Sequence, residues 1–168
     1  MYYRSTLTAL VLAFGVFGLA SCATVENGRR QRVEVITAPA GASVTIDGTY
    51  LGKTPLAVNL PRKSAYSILL EKEGFTPGSA LLLPTSSKYE ERLLRWGVDY
   101  LTGASNELTP GTVELQLRPA ILPARLPADP FAEMTYNVMQ ADALLETGMV
   151  SRDDHRYMVA KIVEFYSR

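Results

Sequence analysis

From Val33 onward, apolar and polar positions alternate. Val33, Val35 and Thr37 are separated by Glu34 and Ile36, the period-two pattern of a strand with one buried face. Pro39-Ala40-Gly41-Ala42 reads as a turn, since Pro fixes φ and Gly accepts positive φ. Ser43 to Ile46 follows as a second short strand. Asp47-Gly48 predicts a hairpin turn in which both central residues take positive φ. Tyr50 to Gly52 predicts a third strand, ended at Thr54-Pro55 because Pro55 has no N–H to give a ladder. Leu56 to Leu60 and Tyr66 to Glu71 supply two more strands, joined by the turn Pro61-Arg62-Lys63-Ser64. Ser79 to Leu83 is expected at a sheet edge, and Val113 to Leu117 as a strand after the turn Leu108-Thr109-Pro110-Gly111.

Elsewhere the period lengthens. Tyr89, Leu93, Leu94, Val98 and Leu101 predict an amphipathic helix over Ser87 to Thr102, with Ser87 and Glu90 as a capping box and Gly103 as its stop. Two readings of this helix stand: packing on the sheet with Trp96 and Tyr100 in the core or at its rim, or contact with a membrane. Arg118 to Pro130 holds Pro119, Pro123, Pro127 and Pro130 and predicts an extended, semi-rigid linker. Beyond it, Phe131, Met134, Val138, Ala141 and Leu145 share a helical face that Gly148 ends. Ser151 caps a second helix, with Asp153 and Asp154 in its first turn, where negative charge is favourable. Tyr157 or Met158, Ile162, and Phe165 or Tyr166 form its apolar side. A hairpin this short has too little core to stand alone, so it is expected to dock on the β domain, on a second copy or on a partner.

The N-terminal pattern is of another kind. Arg4 precedes an apolar run from Ala9 to Ala20, interrupted by Gly15 and Gly18 and closed by Leu19-Ala20-Ser21-Cys22. The run is shorter than the about 20 residues of a spanning helix. It has the charged, apolar and small-residue parts of an export signal. Cys22 is the only cysteine, so no intrachain disulfide can form. Ala23 to Arg32 is polar and carries Arg29, Arg30 and Arg32; it reads as a solvated tether, or as a basic patch resting on anionic head groups. Over the whole chain 17 basic and 17 acidic residues balance, which argues against nucleic acid as the main partner.

Three resemblances rest on these residues. Leu19-Ala20-Ser21-Cys22 resembles the lipobox of bacterial lipoproteins. That implies a diacylglycerol on the Cys22 thiol, cleavage just before it, acylation of the new amino group, and anchoring in a membrane. Ala23, where Asp marks inner-membrane retention in some bacteria, implies the outer membrane. Ala38-Pro39-Ala40-Gly41-Ala42, Val44, Ile46-Asp47-Gly48, Gly52, Thr54-Pro55-Leu56 and Gly74-Phe75 resemble a PEGA domain over about residues 33 to 83, with Ala40 where the family has Glu. The resemblance implies a small antiparallel β-sandwich of envelope and surface proteins and supplies no catalytic residue. Leu144-Leu145-Glu146-Thr147-Gly148-Met149-Val150-Ser151, Asp153-Asp154 and Tyr157 to Lys161 are similar to the SHOCT family of helical hairpins. His155 and Arg156 depart from that family's pattern; oligomerisation has been proposed for it.

The chain also limits its chemistry. A Ser-His-Asp triad has to use the single histidine, His155, beside Asp153 or Asp154, and those residues are expected at an exposed helix start where capping explains them. Consecutive helix positions diverge by about 100° and do not converge on one ion. Gly41, Gly48, Gly52 and Gly74 are too dispersed for a phosphate loop or dinucleotide fingerprint. Glu90-Glu91 reads as a solvated helix face. The expectation is an α+β chain: signal peptide 1–21, tether 22–32, PEGA-like β domain 33–117 with a helical insertion, linker 118–130 and helical hairpin 131–168. It is expected to be a non-catalytic, lipid-anchored envelope protein without metal or cofactor. Expected partners are the membrane through Cys22, an envelope protein or cell-wall glycan, and a second copy through the hairpin. The rival expectations are an oligomerising structural lipoprotein and an accessory subunit of an envelope enzyme or transport complex.

Overall fold

The computed structural model describes residues 29–86 and 106–167. The export signal, Cys22 and the amphipathic helix expected over Ser87 to Thr102 lie outside the described residues. Eight strands and two helices are described: β1 (Arg30–Ala38), β2 (Ser43–Ile46), β3 (Thr49–Lys53), β4 (Leu56–Pro61), β5 (Tyr66–Glu71), β6 (Gly78–Ser86), β7 (Asn106–Thr109), β8 (Thr112–Gln116), α1 (Pro130–Glu146) and α2 (Arg152–Tyr166). The strands form a three-stranded sheet in the order β4-β1-β8 and a five-stranded sheet in the order β3-β2-β5-β6-β7. The chain is thus α+β, two sheets followed by a helical hairpin. The residues divide into two compact units. One comprises Glu34–Ala57, Tyr66–Leu81 and Thr112–Arg168; the other comprises Val58–Ala65 with the described parts of Met1–Val33 and Leu82–Gly111.

In the larger unit, alternation sets the two inner faces. Val35, Thr37 and Val113 are buried from one sheet, and Val44, Ile46, Ile68 and Leu70 from the other. β2 pairs antiparallel with β3 and β5. β1 and β8 run parallel, with Val35 opposite Val113, so the sandwich is not wholly antiparallel as expected. The Asp47-Gly48 turn has the expected geometry, φ +47° and +79°. A hydroxyl relay joins the sheets: Thr54 Oγ1 lies 2.6 Å from Thr37 Oγ1, which donates to the Pro39 carbonyl at 2.7 Å. Thr54 Oγ1 also accepts from the Ala42 N–H at 3.0 Å. The relay explains why a small hydroxyl residue precedes Pro55 at a buried position.

The hairpin belongs to this unit and is docked on its β elements. Asp129 caps α1 through the Ala132 N–H, and Pro130 fills the first turn, where its missing N–H costs nothing. A Schellman motif ends α1: Gly148, at φ +72°, donates to Leu145 O, and Met149 donates to Leu144 O. Ser151 and Asp154 form a reciprocal capping box on α2. The buried seam contains Asn137, Ala141, Met158 and Ile162. Phe131, expected on the apolar face, is instead 76% exposed; it sits in the first turn, ahead of the seam. Asn137 Nδ2 donates to Tyr166 Oη at 2.8 Å, and His155 Nε2 meets Asp142 Oδ1 at 2.7 Å, so both polar pairs bridge the helices.

The expected linker is anchored at its start. Pro119 is fully buried and bridges Phe75, the Thr76 N–H donates to Arg118 O, and the Ala120 N–H donates to Gly74 O. Proline density signalled extension, but extended backbone next to an open strand edge pairs with it.

In the smaller unit, β1 begins at Arg30, so Arg30 and Arg32, expected in the tether, lie in a strand. Gln31 is buried, and its amide does the work of a strand partner. Nε2 donates to Leu108 O at 2.9 Å and Oε1 accepts from Leu108 N–H at 2.8 Å. β6, expected at an edge over Ser79 to Leu83, extends to Ser86, and β7 pairs with its later half, from Leu83 with Thr109 to Ser86 with Asn106.

Candidate binding cleft

The larger unit contains a cleft of about 560 Å³ bordered by the turn at Gly41, the ends of β2, β3 and β5, the 72–77 segment, and Met149 and Asp154 of the hairpin. Strand register builds its floor. Ser43 is the Cα partner of Lys53 on one side and of Glu71 on the other. A cation, a hydroxyl and a carboxylate therefore lie side by side across three strands. Glu73 adds a second carboxylate from the following turn. Among the described residues, Lys53, Glu71 and Glu73 form no ion pair.

One wall is a clasp centred on Lys72. Its Nζ donates to Ala40 O at 2.5 Å and to Asp154 Oδ1 at 3.0 Å, with both side chains largely buried. The Ser151 hydroxyl donates to Asp154 Oδ2 at 2.8 Å. One lysine therefore holds the turn of the β domain to the start of α2, and its charge is neutralised locally. Gly74 comes close to the hairpin behind the clasp: a Cβ there would lie 2.5 Å from Met158 Cε and 2.9 Å from Val150 Cγ1, at a φ of +80°. Phe75 packs at a tilt on Tyr157, with ring centroids 6.0 Å apart, and the Arg118 guanidinium lies 5.7 Å from the Phe165 centroid.

The sequence candidates separate. His155 pairs with Asp142, not with Asp153 or Asp154. Asp153 pairs with Arg156, and Asp154 is taken by Lys72 and Ser151. The expected exposed helix start is therefore exposed at Asp153 but buried at Asp154. No group of three metal-ligating side chains occurs among the described residues. The Tyr157 hydroxyl is buried with no hydrogen-bond partner, and burial pushes its pKa up, against an opposing pull from Lys161. Tyr166 is also raised, by burial and the Glu133 charge against the Asn137 hydrogen bond.

These features define an α+β protein whose small β-sandwich carries a polar cleft walled in part by a docked helical hairpin. A family model described as PEGA domain matches residues 30–89, so the chain carries a PEGA domain over that stretch. The match begins at Arg30, where β1 begins, and it includes the turn and strands that floor the cleft. No curated protein and no solved structure matches the chain.

Proposed function

We propose that the chain is a lipid-anchored bacterial envelope protein, held through Cys22, whose PEGA domain is a non-catalytic binding or scaffold module. The observation that carries the reading is the succession of Leu19-Ala20-Ser21-Cys22, a short polar segment and the PEGA match from residue 30. Several acyl chains at about 0.8 kcal/mol per buried methylene make a durable anchor. Ala23 favours the outer membrane. The protein partner or cell-wall polymer then meets a domain kept at high local concentration near the bilayer. Among the described residues no helix is long and apolar enough to cross a membrane.

The test is the intact mass of the protein purified from membranes, beside a Cys22→Ala variant. The expected result is a chain beginning at Cys22 plus acyl mass, lost in the variant. An unmodified chain in the soluble fraction overturns the reading.

A second reading is an oligomerising assembly lipoprotein. It is favoured by the outward face of α1, where Phe131, Tyr136 and Met139 are 76%, 56% and 64% exposed. Sedimentation of the full chain over a concentration series tests it; a monomer at every concentration refutes it.

A further inference from the structure

We propose that the cleft binds a free amino-acid end group, an ammonium and a carboxylate on one carbon, of the kind displayed by the peptides of a cell-wall polymer. The proposal rests on the binding-module reading above, but not on lipid attachment.

Three observations point to this ligand. The first is size: at about 560 Å³ the cleft lies within the range of small-ligand sites and leaves room for the chain behind an end group. The second is charge. Lys72 and Asp154 neutralise each other, which leaves Lys53 to take a carboxylate and Glu71 with Glu73 to take an ammonium. A neutral sugar or a simple anion uses only part of that set. The third is spacing. Lys53 and Glu71 flank Ser43 on adjacent strands, so their backbones are about 10 Å apart. The two charged groups of an amino acid are about 3 Å apart, and a hydrogen bond of about 2.8 Å at each end extends the span to about 9 Å, which the flexible Lys53 and Glu71 side chains, rooted on either side of Ser43 in one cleft, are long enough to bracket. The Ser43 hydroxyl stands between them and serves either end. Charge-assisted bonds at both ends give selectivity, because a blocked end forfeits one of the two.

The direct test is saturation-transfer NMR with the purified full chain in detergent and free alanine as the probe, beside N-acetylalanine and alaninamide. Alanine is expected to bind, and each blocked form to bind about tenfold more weakly. Lys53→Gln and Glu71→Gln are each expected to weaken alanine binding about tenfold. Both side chains are exposed, so circular dichroism spectra should match the unsubstituted chain. Equal binding of the blocked forms, no binding of alanine, or titrations unchanged in both variants overturns the site. Co-sedimentation with purified cell-wall sheets that both variants lose supports the polymer as the source; alanine binding without co-sedimentation overturns that source. If alanine fails to bind while the acyl mass on Cys22 is found, the site falls and the anchored-module reading stands.

Discussion

Replacing Gly74 by Ala tests whether the hairpin is held on the β domain as described. Two costs arise. A non-glycine residue at φ +80° adopts the left-handed region at about 1–2 kcal/mol. The new Cβ also meets Val150 Cγ1 and Met158 Cε at 2.9 and 2.5 Å, well inside the about 3.5–4.0 Å of a relaxed carbon contact. Met158 has a flexible end, but it is fully buried, so its displacement also disturbs its neighbours. Val150 is β-branched and stiff. Overpacking of this kind costs about 1–3 kcal/mol, so the total is about 2–5 kcal/mol from a stability of about 5–15. Gly48 supplies the control. Its φ is +79°, yet nothing lies within 4 Å of a Cβ built there, so Gly48→Ala carries the backbone cost alone. Urea unfolding followed by circular dichroism is expected to place Gly74→Ala about 1–3 kcal/mol below Gly48→Ala. Values agreeing within about 0.5 kcal/mol refute the packing of Val150 and Met158 over Gly74.

Three further outcomes are expected. Asp154→Ala leaves the largely buried Lys72 ammonium without its carboxylate and removes half of the capping box, a loss of about 3 kcal/mol measurable by urea unfolding. Gln31→Leu strands both backbone groups of Leu108 and should cost about 2 kcal/mol or more, with faster amide exchange at Leu108; unchanged exchange refutes the pairing. Tyr157→Phe removes a buried hydroxyl that bonds nothing, so at neutral pH it should leave stability unchanged or raise it by about 1 kcal/mol. The raised Tyr157 pKa means the folded state keeps a proton that the unfolded chain releases above its ordinary value of 10.0. The contribution of Tyr157 to stability is thus constant below that pH and falls as pH rises beyond it, and Tyr157→Phe should make the fall shallower in alkaline urea titrations.

Much of the β domain was legible because period two and turn chemistry are local signals. Ser43 to Ile46 and Tyr66 to Glu71 coincide with β2 and β5, and the Asp47-Gly48 turn announced itself by residue type. β7 was not legible, since Asn106–Thr109 shows a single buried apolar side chain, Leu108, too little for an alternation. Gln31 and Asn137 were missed for a related reason. A buried amide reads as polar and outward until its partner is known, and Leu108 and Tyr166 lie far along the chain. The cleft was least legible. Ser43, Lys53 and Glu71 are unremarkable in sequence, and only the pairing of three strands sets them in one row. Lys72 carried no signal beyond its charge. A hint lay in Asp154, whose place in a capping box left one oxygen for a second partner.

The contact between Lys72 and residue 40 uses a main-chain carbonyl, which every amino acid possesses. The side chain at that turn position takes no part in closing the clasp. Substitution there is silent to docking as long as the turn keeps its path. Gly41 has no such latitude, because a Cβ on it would lie 3.1 Å from Lys72 Nζ at a φ of +85°. Of two adjacent turn positions, one therefore tolerates a change of side chain and its neighbour is restricted to glycine, chiefly by its backbone angle and secondarily by the same lysine.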